Sequence, residues 1–113
     1  MRGTSALILA AAVAALIVVS SASASVRKVK LTATVATGDT ASLTVKVSPK
    51  SRCTIRVEYD TVVSRAKGLG AKRGGTITWS WRVGTNTHLG RWPVKVDCGK
   101  AGKLTLRLRV TKG

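Results

Sequence analysis

The chain has 113 residues, and its 20 lysines and arginines outnumber its four aspartates and glutamates, which gives a formal net charge of +16. This length holds one small domain and no more. One histidine and four carboxylates are too few titratable groups for a typical catalytic centre or zinc site, so the composition argues against an enzyme or a metalloprotein. The excess of positive charge instead favours an anionic partner.

The N-terminus predicts a secretory signal peptide. Arg2 supplies a positive start, residues 6–19 form an uncharged apolar run, and Ala22-Ser23-Ala24 provides a small-residue cleavage site. We expect a signal helix at 1–24, cleavage after Ala24, and a secreted or cell-wall-associated domain at 25–113. Cleavage after Ala22 and an uncleaved membrane anchor are the alternatives. Serines interrupt the apolar run before it reaches the about 20 residues of a spanning helix.

The two cysteines, Cys53 and Cys98, both follow the predicted cleavage site. An even number in an exported chain predicts one intramolecular disulfide bond. By loss of unfolded-chain entropy, a closed loop of about 46 residues would stabilise the fold by roughly 4 kcal/mol. A metal-binding or catalytic pair is the alternative, but the chain lacks a CxxC motif and His88 lies near neither cysteine in sequence. We expect no metal and no cofactor.

Residues 29–59 predict three strands with alternating apolar and polar side chains. The three runs cover 29–35, 41–47 and 53–59, and they are rich in β-branched residues. A period of two is typical of half-buried strands. Gly38-Asp39 marks the turn between the first two runs, and Ser48-Pro49-Lys50-Ser51 marks a break before the third.

Residues 60–75 predict an irregular loop that contains a short edge strand at 61–64. Four glycines punctuate this stretch, but they do not match the GxxxxGK[ST] pattern of a phosphate-binding loop. The stretch also holds four cations, which make it a candidate anion-binding loop: Arg65, Lys67, Lys72 and Arg73. The alternative is a solvated loop whose charges only keep the protein soluble.

Three further strands are predicted at 77–83, 92–98 and 104–110, with a tight turn at 99–102. Six or seven strands with short turns predict an all-β fold, a small antiparallel sandwich of immunoglobulin (Ig) or fibronectin type. A small barrel is the alternative. Cys53 begins the third predicted strand and Cys98 ends the sixth, so these strands lie side by side or face one another across the sandwich. An antibody-type domain joins its second and sixth strands instead.

Trp79 and Trp81 lie two residues apart, so their side chains leave the same face of one strand. They share the phase of Ile77 and Val83, and the chain has no phenylalanine and one tyrosine. Both observations favour a place in the core. The alternative is an exposed aromatic platform for a sugar ring or a base.

Residues 76–99 resemble a segment of small secreted actinobacterial-type Ig-like domains. The shared pattern is W-x-W-x-V-G-x-x-T-x-x-G-x-W-P-V-x-V-x-C, which runs from Trp79 to Cys98, and residues 64–69 resemble the loop that precedes it. The resemblance covers roughly a third of the chain. It implies an Ig-like fold and an export or cell-surface module of unknown function, and it supplies no catalytic or ligand-binding residues.

Two functions are compatible with these residues. The first is association with an anionic polymer, such as a wall polymer, a glycan or nucleic acid, through the basic loop and the outward lysines and arginines. Such binding weakens steeply as salt rises. The second is protein–protein interaction through a sheet edge or a tryptophan face. A membrane-active peptide would need an amphipathic helix, which the pattern does not predict. We expect a monomer without a small-molecule substrate.

Overall fold

The computed structural model describes residues 24–113, so the predicted signal peptide lies outside the described residues except for Ala24. Within these residues, a 3-10 turn at Gly99–Ala101 is the one helical element among strands and loops. No helix in residues 24–113 is long and apolar enough to cross a membrane. The seven strands are β1 (Ser25–Leu31), β2 (Thr34–Ala36), β3 (Thr40–Tyr59), β4 (Val62–Val63), β5 (Lys72–Arg82), β6 (Gly90–Asp97) and β7 (Lys103–Thr111).

The strands form two layers around one apolar core. The first sheet contains β1, the first half of β3, and β5. The second sheet contains the second half of β3, followed by β6, β7 and β2. All pairs are antiparallel except β2 with β7, and β4 folds back onto the end of β3 as the predicted edge strand. The predicted all-β Ig-like sandwich is therefore confirmed.

β3 belongs to both sheets, which corrects the predicted break at 48–51. Its pairing with β5 shifts register between Lys46 and Ser51, and it then resumes opposite Gly74. Proline lacks a backbone N–H, so Pro49 interrupts the ladder without ending it. The predicted second and third strands are therefore one continuous strand that bends from one sheet into the other.

The predicted first strand at 29–35 is also wrong, because it is two strands that lie in different sheets. The N–H of Thr32 donates to the carbonyl of Ser42 in the first sheet at 2.9 Å. The carbonyl of the following residue, Ala33, instead accepts from the N–H of Arg109 in the second sheet at 2.8 Å. Alternation continues across this crossing, so the pattern alone does not reveal it.

Both strand tryptophans are buried in the core, as predicted from their phase. Trp79 is 0% exposed and Trp81 is 1% exposed. The indole Nε1 of Trp79 donates to the carbonyl of Gly70 at 2.8 Å, and that of Trp81 donates to the Tyr59 hydroxyl at 3.1 Å. Buried indoles need such acceptors, and here each polar ring atom has one. An exposed platform formed by these two rings is thereby excluded.

The disulfide between Cys53 and Cys98 is present, as predicted. Thr54 lies opposite Asp97 in the β3–β6 pair, so the two cysteines occupy the next rung of the same ladder. The bond therefore joins neighbouring strands within the second sheet, not two sheets across the core. It lies at the point where β3 enters that sheet.

Residues 64–71, the loop between β4 and β5, cover the outer edge of β5. The Lys72 ammonium donates to the carbonyl of Thr78 at 2.7 Å. Gly68 packs so closely on the carbonyl of Ser80 that a side chain at this position would overlap it. Uncovered edge carbonyls invite pairing with another chain, and here the loop covers one of them while Lys72, the first residue of β5, occupies another.

We expect Gly68→Ala to lower the free energy of unfolding by about 1–3 kcal/mol. Gly68 has a φ of +100°, which strains any residue with a Cβ, and the new methyl group would meet the Ser80 carbonyl. Urea unfolding followed by tryptophan fluorescence measures the change. Gly70→Ala is the matched control, because a Cβ there meets nothing within 4 Å. Equal losses in both variants would contradict the packing of this loop on β5.

Tyr59 is the only tyrosine of the chain. Burial raises the pKa of its hydroxyl above the ordinary value of 10.0, and the hydrogen bond with Trp81 opposes this rise to a smaller extent. The neutral Tyr59 hydroxyl contributes fully to stability below the pKa that it has in the unfolded protein. This contribution is lost as pH rises through the higher pKa that it has in the folded protein. We therefore expect the free energy of unfolding to decline above about pH 10. Phenolate absorbance should rise at lower pH in urea than in the native protein.

The control for this titration is Tyr59→Phe, which should lose the part of the alkaline decline that comes from the phenol. Coincident phenolate titrations in the native and urea-unfolded protein would contradict burial of the Tyr59 ring.

Candidate anion-binding surface

The charged side chains of residues 24–113 all lie outside the core, since none of the buried residues is polar or charged. Glu58 accepts from Lys95 at 2.9 Å and lies 3.8 Å from Arg56. Asp97 instead accepts the backbone N–H of Gly99 at 2.9 Å. Asp97 lies at one end of the outer face of the second sheet, whereas Glu58, one residue beyond the Val57–Val94 pair, lies level with Pro93 and is paired with Lys95.

Three arginines gather at the other end of that face. Arg91 on β6 lies directly opposite Arg109 on β7, and Arg107 precedes Arg109 by two residues, on the same face. We call Arg91, Arg107 and Arg109 the arginine cluster. In an antiparallel pair, directly opposed Cβ atoms are about 4.5–5.5 Å apart. Together with Ala33 and Thr34, the cluster lines a shallow groove beside β2.

The arginine cluster has no internal counter-charge. The ion pairs within residues 24–113 join Glu58 to Arg56 and Lys95, and Asp60 to His88, so none of them includes the cluster. Like charges placed directly opposite destabilise a sheet, by up to about 1 kcal/mol. A surface that lowers stability and leaves guanidinium donors without a carboxylate is suited to an external anion.

The four cations named from the sequence are divided between a loop and a strand. Arg65 and Lys67 are exposed in the β4–β5 loop, as predicted. Lys72 and Arg73 begin β5, so the irregular stretch ends earlier than the predicted Gly75. Neighbouring residues of a strand point to opposite faces. Lys72 is engaged with the Thr78 carbonyl, while Arg73 lies opposite Arg52.

The arginine cluster was not predicted from the sequence, although one signal for it was present. Outward Arg107 and Arg109 follow from alternation alone. Arg91 joins them only through the register of the β6–β7 pair, in which Asp97 faces Lys103 across the 99–102 turn. Counting back from that turn places Arg91 opposite Arg109.

The outer face of the first sheet is a second basic surface. Arg27 on β1 lies opposite Lys46 on β3, and Lys30 lies opposite Thr44. Hydroxyl groups fill the centre of this face, where the Thr44 and Thr78 Oγ1 atoms are 2.8 Å apart. The four carboxylate residues lie elsewhere: Asp39 and Asp60 in turns, and Glu58 and Asp97 in the second sheet.

A polar contact ties together the loops at one end of the sandwich. His88 Nδ1 lies 3.1 Å from Asp60 Oδ2, and the carbonyl of His88 accepts from Trp92 Nε1 at 2.8 Å. These contacts join the turn after β3 to the loop before β6. The only histidine therefore has a structural partner at an exposed position.

We expect Arg109→Gln to raise the free energy of unfolding by about 0.2–1 kcal/mol at low salt, because it removes the repulsion with Arg91. Arg107→Gln is the matched control, since Arg107 faces Pro93 and should give a smaller gain. The difference should shrink at about 1 M salt, where charges are screened within about 3 Å. Urea unfolding at two salt concentrations measures both effects, and equal gains would contradict the opposed geometry.

Comparisons with known proteins give little beyond the general architecture. No protein-family model matches the sequence, and no curated protein matches it. Among solved structures, the chain is similar to the PKD domain of an M14-like peptidase from Thermoplasmatales archaeon SCGC AB-540-F20, with 16% sequence identity and a TM-score of 0.45. The match covers 78% of this chain and 94% of that chain. A likeness at this level assigns no activity.

Proposed function

We propose that residues 25–113 form an exported, non-catalytic module that associates with a phosphate-rich anionic polymer of the cell envelope or the extracellular space. The arginine cluster is the observation that carries this proposal. Three guanidinium groups share one groove, and none of them forms an ion pair within the described residues. The disulfide suits an oxidising compartment, as does the signal-like N-terminus.

The chemistry of arginine favours phosphate over other anions. A guanidinium group is planar, stays charged at all ordinary pH values, and donates two parallel hydrogen bonds to phosphate or carboxylate oxygens. Side chains arriving from two strands approach a bound group from different directions. A tetrahedral phosphate ester can accept from several such directions, whereas a carboxylate has two oxygens in one plane.

The positions of the aromatic rings favour a polymer without bases. Proteins that bind single-stranded nucleic acid stack the bases on exposed aromatic side chains. Trp79 and Trp81 are buried here, Tyr59 bonds to Trp81 within the core, and Trp92 is half-buried. The outward positions of the described strands carry no aromatic residue. A polyol phosphate chain fits this surface better than nucleic acid does.

The alternative, a protein–protein interaction domain, loses two of the surfaces that it would use. The tryptophan face is inside the core, and the loop at 64–71 together with Lys72 covers part of the β5 edge. The β1 edge carries exposed cations at Arg27, Lys28 and Lys30. Charged edge residues of this kind discourage strand addition.

The proposal is tested by co-sedimentation of the protein with isolated cell walls, before and after their anionic polymers are stripped, and by titration with poly(glycerol phosphate). We expect retention at low salt, loss on stripping, and a logarithm of the binding constant that falls linearly with the logarithm of the salt concentration. Absence of binding at low salt would contradict the function. Tighter binding of an oligonucleotide with an equal number of phosphates would reassign the partner to nucleic acid.

Two triple variants with the same loss of three charges locate the site. We expect R91Q/R107Q/R109Q to lower the affinity by roughly tenfold, since each lost arginine removes a charge-assisted contact. R65Q/K67Q/R73Q, which neutralises cations of the predicted loop and β5 but keeps the edge contact of Lys72, should have a smaller effect. A larger loss in the second variant would move the site to the loop.

A further inference from the structure

We infer that each domain bridges two chains of the anionic polymer, because its two outer faces carry separate cationic sites. The inference rests on the proposed function for the class of polymer. It adds a second binding site and a cross-linking activity, neither of which follows from binding alone.

The second site lies on the first sheet, where β3 bends toward the second sheet. Arg27 and Lys46 are directly opposed, and with Lys50 they line one groove that also presents the hydroxyls of Ser25 and Ser48. We call Arg27, Lys46 and Lys50 the β1–β3 cluster. Like the arginine cluster, it forms no ion pair within residues 24–113. Each face thus repeats one design, an opposed pair of like charges with a third cation nearby.

The two clusters face opposite directions across the sandwich. The sheets of a sandwich pack about 10 Å apart, and their outer faces point away from one another. The layer between them is a wholly apolar core with no buried polar or charged residue in the described chain. A polymer that follows one face therefore leaves the other face open to solvent.

The clusters also lie at opposite ends of the domain. Gly102, which immediately precedes β7, lies beside Val26 of β1, next to Arg27 in sequence. Arg109 lies seven residues farther along the chain, which corresponds to about 23 Å of extended strand.

This separation decides whether two polyanions can bind at once. The screening length at physiological ionic strength is about 8 Å, so charges on chains more than twenty ångströms apart repel one another little. Occupation of one cluster therefore does not prevent binding at the other. Two chains held by one small domain are physically linked.

A sandwich-binding assay tests this inference. Biotinylated poly(glycerol phosphate) on a surface captures the full-length secreted protein, unbound protein is washed away, and a fluorescent chain of the same polymer is then added. We expect the wild type to hold the second chain. Two variants, compared at equal protein loading, should each hold at least about tenfold less of the fluorescent chain: R27Q/K46Q/K50Q and R91Q/R107Q/R109Q. Each variant keeps only one cluster, and the surface polymer already occupies that cluster.

Each outcome of the assay has a distinct meaning. Wild-type protein that binds the first chain but captures no second chain would overturn the inference and leave the proposed function intact. So would single-cluster variants that bridge as well as the wild type, since net charge alone would then suffice. Sedimentation could show that the protein is a dimer that dissociates on dilution. If bridging were lost at the same dilution, the second chain would be held by a second copy of the protein, and the inference of two sites in one domain would be overturned. Failure to bind the first chain would contradict the proposed function itself.

Discussion

The whole architecture depends on a single strand that pairs in both sheets. β3 holds β1 and β5 with its first half and β6 with its second half, and the Cys53–Cys98 bond fixes the rung at which it enters the second sheet. A slip of one residue in a β ladder exchanges its two faces. The register pinned at this rung therefore keeps Val94 and Val96 in the core and keeps Arg91 and Lys95 in solvent.

The core is built from few aromatic residues, and this limits what the surface can offer. Trp79 and Trp81 are fully buried in the first sheet, and Tyr59 serves as a hydrogen-bond acceptor for one of them. The chain has no phenylalanine, and its third tryptophan, Trp92, is half-buried in the inward phase of β6. The proposed recognition therefore depends on charge and hydroxyl groups, which are the side chains that alternate outward along nearly every strand.

Alternation in the sequence was sufficient to predict most of the fold but little of the candidate site. It predicted strands and the buried phase of Trp79 and Trp81. It could not show that the run at 29–35 changes sheet at Ala33, because side chains alternate through a crossing as they do through a strand. It also missed the continuity of β3 through Pro49, which depends on backbone pairing with β5.

The site was missed for a related reason. Arg65, Lys67, Lys72 and Arg73 are close in sequence, and this proximity made them prominent. The arginine cluster is formed by residues on two strands, so it can be recognised only when the β6–β7 register is known. Lys72 also shows that a cation in a basic segment can have a structural role, since its ammonium group donates to the edge carbonyl of Thr78.

The opposition of Arg91 and Arg109 means that the unoccupied domain is not in its most stable form. An anion bound between the two guanidinium groups removes their repulsion, and any ligand that binds only the folded state adds to its stability. Under the proposed function, the domain would be easiest to unfold, and most open to proteolysis, before it reaches the polymer. Binding to a polyanionic matrix would complete its stabilisation, so copies that stay dispersed would be removed faster than those that are retained.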